Sequence, residues 1–171
     1  MLMSMTLPPP NPVVLHTIDD FLGWSFGLNS YGFCCREAAD AVSSSSLWTR
    51  LVHDVAGVTS AVPVAHLKFA DAFDDSLAGT VLPSGLKSII FGESYDRSLD
   101  VVIPAGLQHL VFGYRYNQSL CGVKLPSGLL TLVFGCRYNH SLQGLTLPEG
   151  LRTLAFGADY DKPLQDVTLP R

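Results

Sequence analysis

Charge of one sign is scarce in this 171-residue chain: eleven Lys and Arg stand against fifteen Asp and Glu, a formal net charge of −4. Nor is it gathered in one place. The first 63 residues hold five acidic and two basic side chains, and the remainder holds ten and nine. Neither part offers the basic face that neutralising a phosphate backbone requires, so no nucleic-acid partner is expected. No run approaches the roughly 18 to 20 apolar residues of a membrane span, so no membrane partner is expected either. The opening MLMSMTLPPPNPVV has no Lys or Arg and is broken by proline, which is unlike a secretory signal.

Cysteine is sparse as well. Cys34, Cys35, Cys121 and Cys136 lack metal-ligand spacing, and the adjacent pair is too close for ordinary bridge geometry. Free, mostly packed thiols in a reducing compartment are the expectation. Catalytic motifs are missing: no P-loop, nucleophile elbow, HExxH or CxxC occurs. His16, His53, His66, His109 and His140 are scattered; Asp19-Asp20 falls on the first expected helix, where adjacent residues do not face one site, and Asp74-Asp75 lacks the spaced acidic partners of a calcium loop. No enzyme activity, metal or cofactor is expected.

What the chain has is repetition. Phe69, Phe91, Phe112, Phe134 and Phe156 recur every 22 residues with one step of 21, and glycine follows all but the first. A second aromatic follows at Phe73, Tyr95, Tyr116, Tyr138 and Tyr160, each preceding Asp74, Asp96, Asn117, Asn139 or Asp161. Each unit closes on Pro83, Pro104, Pro126, Pro148 or Pro170, and the short unit lost its residue between Leu99 and Ile103. Self-similarity at this period predicts a solenoid.

The apolar alternation in Leu110, Phe112 and in Leu132, Phe134 is the period of a short strand with one buried face. Val123, Leu125 and Leu145, Leu147 alternate in the same way, so two strands per coil are expected. Stacked coils place equivalent strands in parallel, about 4.8 Å apart, and pile the inward residues into ladders that no single coil could bury. The Asn/Asp column is expected to bond backbone groups of its own bend or of the next coil. Gly85, Gly106, Gly128 and Gly150 are expected to supply positive φ or close backbone approach. Asn117-Gln118-Ser119 and Asn139-His140-Ser141 also spell glycosylation sequons, read here as repeat consensus.

The pattern LPxxLxxLxFGxxYNxSLxGVxLP resembles the FNIP repeat of the leucine-rich repeat group. Tyr stands here for that family's usual Phe before Asn, and Ser76, Ser98, Ser119 and Ser141 for its usual Pro. The resemblance implies a recognition scaffold without chemistry of its own.

If the Leu and Phe columns point inward, the intervening residues point out. One outward column reads Lys68, Ile90, Val111, Val133, Ala155, and its neighbour reads His66, Ser88, His109, Thr131, Thr153. An apolar stripe of this kind needs a partner or a covering element, although β-branched residues also suit strands for their own sake. Lys68, Ile90, His109, Val111, Thr131, Val133, Thr153 and Ala155 are the expected partner-binding surface. Arg97, Arg115 and Arg137 form a sparse basic patch near Tyr114 and Tyr116.

The first sixty residues differ. Val14, Leu15, Ile18, Phe21 and Leu22 have helical spacing after Pro12, a second helical stretch runs from about Leu28 to Val42, and Ser46 is placed to cap a short helix over Leu47–Leu51. This arrangement resembles an F-box, on Pro12, Val14, Leu15, Ile18, Phe21 and Leu22, then Cys35-Arg36, then Leu47-Trp48 and Leu51. The resemblance implies docking to the Skp-type adaptor of a cullin–RING ubiquitin ligase through Pro12, Leu15, Ile18, Phe21, Leu22, Leu47, Trp48 and Leu51. The alternative is that these helices only cap the first open coil.

The expected fold is therefore α+β, a short helical N-terminal segment followed by a parallel β solenoid of five leucine-rich-type coils. Its divisions are an N-terminus over 1–11, the helical segment over 12–55, a linker over 56–63 and the repeats over 64–171. The expected function is target recognition within a ubiquitin ligase, or else stand-alone binding by a capped repeat protein, in the cytoplasm or nucleus. No C-terminal cap is visible after Leu169-Pro170-Arg171, so self-association through the last coil, or further chain, is expected there.

Overall fold

In each repeat the short run ending in Phe is strand, because alternate residues there can be buried on one face while the backbone pairs with the coils before and after. The structure, a computed structural model, describes residues 49–58, 64–164 and 167. Among the described residues six strands form one sheet: β1 (Thr49–Val52), β2 (His66–Phe69), β3 (Ser88–Ile90), β4 (His109–Val111), β5 (Thr131–Val133) and β6 (Thr153–Ala155). They lie in chain order and every neighbouring pair is parallel. The register joins equivalent repeat positions, so Leu67, Ile89, Leu110, Leu132 and Leu154 form one row.

Behind the sheet the core is continuous along the stack. Leucines from each strand and turn pack with the two aromatic columns into one cluster. Successive phenylalanine rings from Phe69 to Phe156 lie 5.0 to 5.6 Å apart and nearly parallel. Tyr95, Tyr116, Tyr138 and Tyr160 stack alongside at 6.0 to 6.2 Å. Within a coil the two rings approach closely, as at Phe112 and Tyr116, 3.9 Å between centroids. A ring displaced from either ladder would leave a hole lined by its neighbours, so the aromatic columns fix the coil spacing as well as filling the interior.

Four expectations are corrected. The helix over Leu47–Leu51 is not formed: Thr49–Val52 is strand β1, paired with β2, with Val52 buried in the core. Open backbone on the first coil and a pocket for Val52 outweigh the local helical spacing. The segment over 56–63 is not wholly a linker, since a short 3-10 helix, Val55–Gly57, is capped by Asp54 and delivers Val58 to the core. Among the described residues the V-x-L-P runs are not strands, so each coil shows one strand there; their prolines cannot donate to a ladder. The remaining parts of the helical segment, including Pro12, Leu15, Ile18, Phe21, Leu22, Leu47 and Trp48, lie outside the described residues.

The fourth correction concerns glycine. Positive φ belongs to Gly79, Gly122 and Gly144, at 74°, 82° and 81°, where a turn such as Val123 N–H to Leu120 C=O needs a left-handed residue. The 21-residue unit lacks this glycine, which explains what its deletion removed. Close approach belongs to the glycine after Phe: a Cβ on Gly113 would overlap the Gly92 carbonyl, and one on Gly135 the Gly113 carbonyl. Gly85, by contrast, faces open space.

Candidate functional site

The strand side chains that point away from the main core form a second face of the sheet. Ile90, Val111 and Val133 make a second, separate apolar cluster there, with Ala155 packed against it. Register puts Leu51 and Lys68 in the same row. Exposure along this row is uneven: Leu51 is 54% exposed, while Ile90, Val111 and Val133 are 2%, 1% and 4%. Lys68 and Ala155 are half-buried. The stripe expected from the sequence is in register from strand to strand, and its middle is buried.

The polar row beside it is His66, Ser88, His109, Thr131 and Thr153, in register across β2 to β6. Ser88, Thr131 and Thr153 are buried, and His66 Nδ1 lies 2.8 Å from the Ser88 hydroxyl. His109 Nδ1 is buried without a hydrogen-bond partner. Burial, and then the nearby His66, hold the His109 imidazole below its ordinary value of 6.5. Of the expected adaptor-binding residues only Leu51 is described, and it is an exposed strand residue.

At the opposite ends of the strands the Asn/Asp column has the job expected of it, and the choice falls on the next coil. Asp74, Asp96, Asn117 and Asn139 each accept, through Oδ1, the backbone N–H of the equivalent residue one coil on, at 2.9 to 3.1 Å. The following residue often reaches back too: Arg97 pairs with the Asp74 carboxylate at 2.9 Å, and His140 Nε2 sits 2.9 Å from the Asn117 carbonyl. Ser76, Ser119 and Ser141 accept the N–H two residues on, which supplies locally the turn constraint that proline would otherwise give. Arg137 lies over the Tyr114 ring at 5.8 Å.

Among the described residues no group of three or more His, Cys, Asp or Glu is placed to hold a metal ion, and no helix is long and apolar enough to cross a membrane. The thiols divide. Cys121 is exposed and free, whereas Cys136 is disulfide-bonded, which departs from the expectation of free thiols throughout.

One strand per coil, sequential parallel pairing and inward Leu and Phe columns define a leucine-rich-type β solenoid. Within it, residues 95–137 and 138–171 match the FNIP Repeat family model. A solved structure, CroV588, described as "a novel circular LRR protein structure", is 30% identical with a TM-score of 0.59, over 63% of this chain and 16% of that one. This chain therefore spans only a small part of the length of that protein. No curated protein matches the chain.

Proposed function

We propose that the chain is a non-enzymatic protein-interaction module, whose work is to present a surface rather than to perform chemistry. The observation that carries this is the solenoid itself: stacking and core positions recur coil after coil, and the positions between them carry the variation. Repeat folds of this class use such extended columns to bind other proteins.

The finer reading is a substrate-recognition subunit of a cullin–RING ligase, acting in the cytoplasm or nucleus, with residues 12–51 docking a Skp-type adaptor and the coils holding a target. Its support is the apolar spacing from Pro12 to Leu22 and the Leu47-Trp48-x-x-Leu51 ending. A second reading, a stand-alone binding solenoid whose N-terminal segment serves only to cap its own coils, is favoured by one observation: residues 49–52 belong to the sheet.

Pull-down of the full chain with a purified Skp-type adaptor separates these readings. The ligase reading expects capture by the wild type and loss of capture by Ile18→Asp with Trp48→Ala. No capture, or equal capture by both proteins, rejects it in favour of the stand-alone solenoid.

A further inference from the structure

We propose that Tyr114, Arg115 and Arg137, on the edge where the coils turn after their strands, form a docking site for an extended acidic segment of a partner protein. This site rests on the protein-interaction reading and deepens it by naming the chemistry of the partner. It is separate from the outward face of the sheet and from residues 12–51.

The basic patch expected from the sequence divides in the structure. Arg97 pairs with the Asp74 carboxylate at 2.9 Å and donates through Nε to the Asp74 carbonyl at 3.0 Å, so its charge already serves a joint between coils. Tyr116 is buried in the aromatic ladder. Arg115 and Arg137 are left, both exposed, and neither has a carboxylate partner among the described residues.

The backbone holds these two in one column. The Arg115 N–H donates to the Glu93 carbonyl at 3.0 Å and the Arg137 N–H to the Tyr114 carbonyl at 3.1 Å, the same bond made one coil apart. The step between coils at this edge is shown by the rings of Tyr116 and Tyr138, 6.2 Å apart. Two like charges therefore stand on adjacent coils with no counter-charge joined to either, an arrangement that is destabilising on neighbouring strands. Stacking does not demand it, since the equivalent positions on either side are Ser94 and Asp159. An anionic partner converts the repulsion into two charge-assisted contacts.

Tyr114 adds an apolar surface. It is 42% exposed, and the equivalent positions carry Glu93, Cys136 and Ala158, so no core position calls for an aromatic there. Arg137 lies over its ring at 5.8 Å, which draws the guanidinium toward the coil that carries Arg115. The guanidinium forks suit carboxylates, and the ring suits the aliphatic part of a peptide.

Spacing selects the conformation of the ligand. Alternate side chains of an extended peptide emerge on one side about 6.7 Å apart, close to the 6.2 Å step between coils. Acidic residues at alternate positions thus meet successive arginines. Glu93 lies one coil before Tyr114 and Asp159 one coil after Arg137, which confines the basic surface to two coils and disfavours a long polyanion such as nucleic acid.

The test titrates the full chain, at low ionic strength, into a fluorescein-labelled peptide of alternating Glu and Ser and reads fluorescence anisotropy. Saturable binding is expected. Arg115→Ala with Arg137→Ala should weaken it at least about ten-fold, and Lys87→Ala with Arg152→Ala, an exposed pair of equal charge just before β3 and β6, less than about two-fold. Arg115→Glu with Arg137→Glu should reverse the preference toward a peptide of alternating Lys and Ser, a result that loss of folding does not produce. No saturable binding, equal weakening by the two alanine pairs, an unreversed preference, or tighter binding of an oligothymidylate of equal charge overturns the proposal. Each of these leaves the protein-interaction reading standing on the sheet face, and a failed adaptor pull-down leaves this site intact.

Discussion

Tyr95, Tyr116, Tyr138 and Tyr160 bury their hydroxyls without a hydrogen-bond partner among the described residues. Burial raises the pKa of each, so all four stay protonated and neutral well above physiological pH. An unsatisfied buried hydroxyl costs about 1–3 kcal/mol, and the repeat family that this chain resembles carries Phe in this column. Tyr116→Phe retains the stack on Phe112 and the neighbouring tyrosines while removing the stranded group. The expected result is a stabilisation of about 1 kcal/mol, read as a higher Tm in thermal unfolding; a lower Tm would show that the hydroxyl has a partner such as bound water.

His109 makes the other residue-scale prediction. Its folded pKa is depressed by burial and by His66, so the fold disfavours the charged imidazole while the unfolded chain takes up its proton near pH 6.5. The contribution to stability is therefore present above about pH 6.5 and declines as pH falls below it, until the folded chain also binds the proton. Urea unfolding at pH 7.5 and 5.5 should show a smaller stability difference for His109→Gln than for the wild type. An identical pH dependence would remove His109 as the cause.

At the scale of the coil, two devices join each unit to the next. One is the carboxamide or carboxylate ladder, in which Asn117 accepts the Asn139 N–H. Asn117→Ala leaves that donor to solvent and should cost about 1 kcal/mol in chemical denaturation. The other is close backbone contact after each Phe. Gly113→Ala forces a Cβ into the Gly92 carbonyl, so the two coils must separate; a loss of more than about 3 kcal/mol is expected. Gly85→Ala, facing open space, should stay within about 0.5 kcal/mol. If the two alanine variants melt alike, the close-contact reading is wrong.

These elements also show what could be read from sequence. The Leu and Phe rows, the outward columns and the Asn/Asp ladder were legible because each repeats at one period and has one physical meaning. The two kinds of glycine were not: Gly113 and Gly85 look equivalent as letters, and only the distance to the preceding coil separates them. The first unit carries Ala70 where later units carry glycine, and the element before it is the lone strand β1. Strand β1 was hidden because Leu47-Trp48-Thr49-Arg50-Leu51 has local helical spacing, while its strand form depends on β2, about 17 residues away. Burial of Ile90, Val111 and Val133 was likewise out of reach, since a repeat pattern says which way a side chain points and not what lies above it.

Across the whole molecule, the stack behaves as a one-dimensional array in which a coil touches only its neighbours. Inner coils are held on both sides, while the last described coil is looser: Phe156, Tyr160 and Leu164 are only partly buried, where Phe112 and Tyr116 are wholly so. Opening should then start at the ends and reach the middle at a higher free energy. Native-state hydrogen exchange tests this directly. The Phe112 amide, bonded to the Val133 carbonyl, and the Thr131 amide, bonded to Gln108, belong to the centre. The Ala70 amide, bonded to Val52 of the edge strand, and the Val167 amide, bonded to Leu164, belong to the ends. The central pair should exchange at least about ten-fold more slowly. If all four exchange at one common rate under conditions where global unfolding is rare, the coils open as a single unit, and the nearest-neighbour description of this solenoid fails.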